Sequence, residues 1–138
     1  MDLYTLHFDG SCWPNPGGIA KYGYVLNTPT DKITDHAIIS NGPATSNNIA
    51  EYVGLIQGLK LFADVRKGKP PCMLNVYGDS NLVIQQMNKK WKIREGAYAP
   101  WAKQAVELVK ALRKRQNTIN FSWIPRILNQ ECDELSKL

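Results

Sequence analysis

The chain has almost nothing with which to build a soft-metal or disulfide framework. Its cysteines, Cys12, Cys72 and Cys132, stand 60 residues apart, its only histidines are His7 and His36, and no Cys-x-x-Cys or Cys/His cluster joins them. A structural zinc site therefore has no ligand set, and three reduced thiols are expected. No apolar run approaches the ~18 residues of a membrane span. Met1-Asp2-Leu3-Tyr4 lacks the basic region and long apolar stretch of a signal peptide. Internal repeats, low-complexity stretches and linkers are missing too. Gly (10) and Pro (8) sit near globular averages, which excludes collagen-like, coiled-coil and disordered chains. The expectation is one soluble domain over residues 1–138, cytoplasmic and monomeric, burying roughly two-thirds of the unfolded chain's surface.

What is present is charge, and it is unevenly spread. The net +5 divides into +9 over residues 60–115 and −4 over the rest. A basic middle beside acidic outer parts suggests a polyanion-binding face next to a carboxylate cluster. A solvated helix surface would give the same middle.

Periodicity supplies the elements. Leu3 to Asp9 alternates as a strand, Ser11 to Gly18 is turn chemistry, and Ile19 to Asn27 and Lys32 to Ser40 complete an antiparallel meander. From Asn48 the period becomes helical through Tyr52, Ile56, Leu59 and Ala63, with Ser46 or Asn47 as N-cap. Lys67 to Pro71 breaks that helix. Met73 to Tyr77 is a strand, 80–88 and 99–116 are helices, Thr118 to Trp123 a last strand, and Asn129 to Leu138 a terminal helix. On the long helix Trp101, Ala105, Leu108 and Leu112 share a face. The order βββαβααβα predicts a mixed five-stranded α/β sheet flanked by helices, with the first strand beside the fourth. Ligands gather at the carboxyl ends of such strands, and there stand Asp9 and Asp79.

Two adjacent carboxylates share a proton or bind a cation. Glu51, on the crossing helix, and Asp133, on the terminal one, add two more oxygen donors, which suit Mg²⁺ or Mn²⁺ better than zinc. Taken singly, Asp9 fits a turn, Asp79 a helix cap, Glu51 a helix start and Asp133 a surface position. Four such coincidences around one sheet edge explain the set less well.

Phe8-Asp9-Gly10-Ser11-Cys12, Pro14-Asn15-Pro16-Gly17-Gly18, Ser46-Asn47-Asn48-Ile49-Ala50-Glu51, Tyr77-Gly78-Asp79-Ser80 and Trp123-Ile124-Pro125-Arg126 … Cys132-Asp133-Glu134-Leu135 together resemble the type 1 ribonuclease H family. The likeness runs over essentially the whole chain, in the family's order and spacing. It implies the ribonuclease H-like fold and a metal-dependent endoribonuclease that cuts the RNA strand of RNA/DNA hybrids, leaving 5′-phosphate and 3′-hydroxyl ends. Asp9, Glu51, Asp79 and Asp133 align with the four acidic ligands of two Mg²⁺ ions, for which Mn²⁺ can substitute. Two-ion phosphodiester hydrolysis holds the ions roughly 4 Å apart. The resemblance makes Asp9 the bridging ligand, Asp133 a holder of the attacking-side ion, and Glu51 and Asp79 holders of the other.

Two departures from the bacterial pattern stand out. The loop Pro125-Arg126-Ile127-Leu128-Asn129-Gln130 contains no His, and Arg126 is the expected auxiliary group, contacting phosphate. The basic protrusion after the second helix is absent or vestigial, as in a short, archaeal-like form, and Lys89-Lys90-Trp91-Lys92 is the expected substitute for binding the DNA strand. That stretch reads equally as a loop whose Trp covers the core. The family uses the positions of Asn15, Ser46, Asn47, Asn48 and Asn81 around RNA, although Asn15 also suits a turn, Ser80 a cap, and Asn47 and Asn48 helix capping. His7 is expected in the core and His36 at the surface. The rival from another class is a non-catalytic RNA/DNA-hybrid-binding module with the same fold.

Overall fold

The computed structural model describes residues 1–41 and 45–138, with side chains left undescribed at 40 and 41. Its elements are β1 (Leu3–Trp13), β2 (Ile19–Asn27), β3 (Lys32–Asn41), α1 (Asn47–Val65), β4 (Met73–Gly78), α2 (Asn81–Met87), α3 (Ala99–Lys114), β5 (Thr118–Trp123), a 3₁₀ turn (Arg126–Asn129) and α4 (Gln130–Leu135). The strands form one mixed sheet in the order β3-β2-β1-β4-β5. β1–β2 and β2–β3 are antiparallel, and β1–β4 and β4–β5 are parallel. The expected meander and the neighbourhood of first and fourth strands are both present.

Alternation along β1 sends Tyr4, Leu6 and Phe8 into the core with Leu55, Ile56, Leu59 and Phe62 of α1. Helix α1 meets β1 at almost no distance. A Cβ on Gly10 would lie 2.2 Å from the Ala50 carbonyl carbon and 2.3 Å from the Glu51 nitrogen, so only glycine admits the helix there. Tight docking at this point carries the Glu51 carboxyl onto the Gly10 N–H of β1.

Four local expectations shift: the end of β1, the buried stripe of α3, the length of the terminal helix and the burial of His7. β1 does not end at Asp9 but pairs with β2 out to Trp13↔Ile19, so the turn shrinks to the Pro-Asn-Pro-Gly-Gly segment between them. Of the two expected candidates for the cap of α1, Ser46 serves, accepting from the Ile49 N–H. On α3 the buried stripe is Ala102, Ala105, Val109 and Leu112, with Trp101 and Leu108 only partly buried beside it. The terminal helix is shorter than expected, running from Gln130 to Leu135 after the 3₁₀ turn. His7 is half-buried rather than core, on the sheet face opposite Leu6, and its ring stacks on Tyr77 of the neighbouring strand at 5.1 Å. Burial holds its imidazole below the ordinary value, with Glu131 opposing. His36 is exposed.

Candidate active site

Parallel pairing reaches the register His7↔Tyr77, and two residues further on stand Asp9, within β1, and Asp79, just past the end of β4. Asp9 and Glu51 are buried, and one carboxylate oxygen from each of Asp9, Glu51 and Asp79 lies within 4.8 Å of the others. The Gly10 N–H donates to both Asp9 Oδ1 and Glu51 Oε1, at 2.9 Å each. That one donor is shared, and the second oxygens, Asp9 Oδ2 and Glu51 Oε2, are buried without a partner.

Three carboxyls so close and so dry resist full ionisation. Burial pushes Glu51 well above the ordinary carboxylate value, and the neighbouring Asp9 adds to it. Asp9 is raised chiefly by burial; its hydrogen bond with Glu51 opposes this and the Asp79 charge reinforces it. Asp79 is raised by burial and pulled back by Asn129 and Arg126. Orphaned oxygens on hard donors, with no histidine or thiolate among them, fit a hard divalent cation.

Asp133 approaches from α4 but stands outside the tight trio. Lys137 Nζ lies 3.3 Å from its carboxylate and Arg126 Nε 3.8 Å. The four predicted carboxylates thus converge on one end of the sheet, three in near contact and one held by cations. An open cleft of about 690 Å³ runs over Glu51 and Asp79, lined also by Gly10, Trp13, Asn47, Asn48, Arg126 and Lys137 among others.

The remaining predicted residues divide. Asn15 Oδ1 accepts from the Asn47 N–H, and Asn47 Oδ1 accepts from the Cys12 N–H at 2.7 Å, so both pin the turn and β1 to the start of α1. Asn48 is exposed in the cleft and Ser46 is half-buried as the cap. Asn81 Oδ1 accepts from Gln85 of its own helix and is absent from the cleft lining. Lys90, Trp91 and Lys92 line a second groove of about 510 Å³ with Arg94 and Tyr98, while Lys89, at φ 61°, follows the Asn88 C-cap of α2. All four are exposed.

Sequence reasoning missed three supports. Asn129, fully buried, donates to the Phe8 carbonyl (2.9 Å) and to Asp79 Oδ2 (3.3 Å). Lys137 reaches Asp133 one helical turn on, a spacing visible in the sequence as i, i+4. Gln86 is buried at the hub of a network: it accepts from Tyr52 Oη (2.5 Å) and donates to the Lys92 carbonyl and Tyr98 Oη (3.0 Å each). Nothing local to Gln86 or Asn129 in the sequence signals these partners.

The family model described as reverse transcriptase-like matches residues 7–138. A bifunctional protein of Mycobacterium tuberculosis is 34% identical over 138 residues, covering 96% of this chain and 34% of the relative. The chain thus spans about a third of the length of its mycobacterial relatives. A ribonuclease H of Chlorobium limicola is 26% identical, with 96% of this chain and 92% of the relative covered. Among solved structures, an N-terminal ribonuclease H domain from Mycobacterium tuberculosis is similar with a TM-score of 0.80 and 31% identity, over 99% of this chain and 92% of that one. The LC11 ribonuclease H1, solved in complex with an RNA/DNA hybrid, gives a TM-score of 0.79 and 27% identity over 96% and 92%.

Proposed function

The chain belongs to the type 1 ribonuclease H family, and from that premise we propose that residues 1–138 are one catalytic domain hydrolysing the RNA strand of RNA/DNA hybrids to 5′-phosphate and 3′-hydroxyl ends. The observation that carries this reading is the carboxylate trio, two of whose buried oxygens lack any partner. A module that only bound hybrids would gain nothing from them, since buried acids disfavour both folding and an approaching polyanion. Asp9, Glu51, Asp79 and Asp133 would hold two Mg²⁺ ions, for which Mn²⁺ could substitute. When bound, the ions supply charge neutralisation at the scissile phosphate and a nucleophile at neutral pH.

The chain's own residues orient and hold. The Gly10 N–H fixes Asp9 and Glu51 with one oxygen each directed away from it. Asn129 holds Asp79. Arg126, 72% exposed at its side chain, is free to leave Asp133 for an incoming or departing phosphate, which a guanidinium binds as a planar fork. No side-chain nucleophile is needed: Ser11 Oγ donates to the Ser136 carbonyl, and Ser80 Oγ accepts from the Val83 N–H as the cap of α2. Lys89, Lys90, Trp91 and Lys92 would grip the DNA strand, and Asn15, Ser46, Asn47, Asn48 and Asn81 would lie along the RNA strand. The deciding experiment incubates a labelled RNA/DNA hybrid with the protein and Mg²⁺, with and without EDTA. Cleavage of the RNA strand alone, abolished by EDTA, is expected; an intact RNA strand in Mg²⁺ and Mn²⁺ would overturn the reading.

A further inference from the structure

We propose that Trp13 is a substrate-binding residue of this cleft: its indole packs against the ribose edge of the RNA strand and adds affinity independent of salt. The inference deepens the reading above and rests on it for the identity of the strand. Trp13 is 82% exposed, the most exposed large apolar side chain among the described residues. Tryptophan is normally well buried, because its large apolar area drives it out of water. Among the described residues no aromatic or cationic side chain stacks on it.

Exposure here does not come from a loose backbone. Trp13 is the last residue of β1 and pairs with Ile19. The Cys12 N–H beside it is bonded to Asn47, and the Gly18 N–H donates to the Pro14 carbonyl at 2.8 Å. A Cβ on Gly18 would fall 2.1 Å from the Trp13 carbonyl carbon, so the turn folds directly back onto this residue. The indole is displayed from a fixed platform, and little ordering entropy opposes its use.

Its position selects the occupant. Trp13 lines the same cleft as Glu51, Asp79, Arg126 and Lys137. An apolar surface that faces carboxylates and cations together suits a nucleic-acid strand, which offers sugars to the indole and phosphates to the cations. In an A-like duplex the bases are stacked away, but the minor groove is wide and shallow and displays 2′-hydroxyls. The indole face would lie on riboses there, with its N–H able to donate to a 2′-hydroxyl. Ile19, directly opposite Trp13 and 43% exposed, lengthens the apolar strip.

The test measures hybrid affinity for wild type, Trp13→Ala and Trp13→Phe across a salt series with Ca²⁺ in place of Mg²⁺, alongside thermal midpoints and sedimentation. Removing a stacking aromatic should weaken binding about tenfold. The loss should be the same at every salt concentration, because no phosphate contact is removed. Trp13→Phe should recover part of it, and the thermal midpoint should not move. Wild-type affinity in Trp13→Ala, a flattened salt slope, or a lowered midpoint that accounts for the loss would overturn the proposal. So would wild-type dimers that Trp13→Ala dissociates, since the strip would then bind a second copy. Binding that depends on Trp13 without any Mg²⁺-dependent cleavage supports this inference and defeats the hydrolytic reading, while cleavage indifferent to Trp13 does the reverse.

Discussion

Asn129 donates through its amide to the Phe8 carbonyl within β1 and to the Asp79 carboxylate just past β4, tying the two strands together beside the site. Asn129→Ala leaves that buried carbonyl unpaired, at a cost of about 1–3 kcal/mol. A lowered thermal midpoint and a reduced kcat are expected together, and a wild-type kcat would show that Asp79 needs no such support. Asp9 works in the opposite sense. Asp9→Asn removes the charge that faces Glu51 and Asp79, so cleavage should vanish while hybrid binding stays largely intact. Without divalent ions at neutral pH, the variant should melt at a higher temperature than wild type. Calorimetry in EDTA checks this, and an unchanged midpoint would mean the trio carries no net repulsion. Arg126 lies at the rim of the cleft and contacts Asp133 only at 3.8 Å. Arg126→Ala should lower kcat by roughly ten- to a hundredfold, with little change in the Mg²⁺ concentration for half-maximal rate. Arg126→Lys should recover only part, lacking the planar fork.

Among the elements, the strands and α1 were legible because one-sided burial imposes a period, and β2 emerges over the same residues as expected, Ile19 to Asn27. The end of β1 was not legible. Ser11 to Gly18 has turn composition, yet pairing to β2 extends strand structure to Trp13, and composition carries no information about a partner strand. That Asp9, Glu51 and Asp79 meet could be anticipated because β1 and β4 are neighbours in the predicted sheet and α1 crosses it. Asn129, Gln86 and the exposed face of Trp13 could not be, since their roles depend on atoms 34 to 121 residues away or on the absence of cover. The basic stretch after α2, expected to bind the DNA strand or to cover the core with its Trp, is exposed and lines a groove of its own rather than the carboxylate cleft. Replacing Lys89, Lys90 and Lys92 by Ala should therefore weaken hybrid binding and lower the slope of log K against log salt by about 0.9 for each phosphate left without its cation. Titration over a salt series measures it, and an unchanged slope would move the binding face elsewhere.

For the molecule as a whole, the site opposes the fold. Asp9, Glu51 and Asp79 hold protons more tightly in the folded chain than the ordinary values of 3.8 for Asp and 4.5 for Glu. The folded state thus binds more protons than the unfolded one between those values and the raised ones, and stability falls as pH rises through that window. A divalent cation held by the deprotonated trio reverses the trend. Mg²⁺ should raise the thermal midpoint more at about pH 8 than at about pH 5, and a rise independent of pH would contradict it. The Gln86 network has a geometric consequence of its own. Tyr52 follows Glu51 on α1, and through Gln86 it is bonded to the Lys92 carbonyl and to Tyr98 beside the basic groove. Cleft and groove are thereby mounted on one frame, as two marks on a ruler. Where the RNA is cut would then be measured from the gripped DNA phosphates as a fixed distance along the duplex, whatever bases lie between.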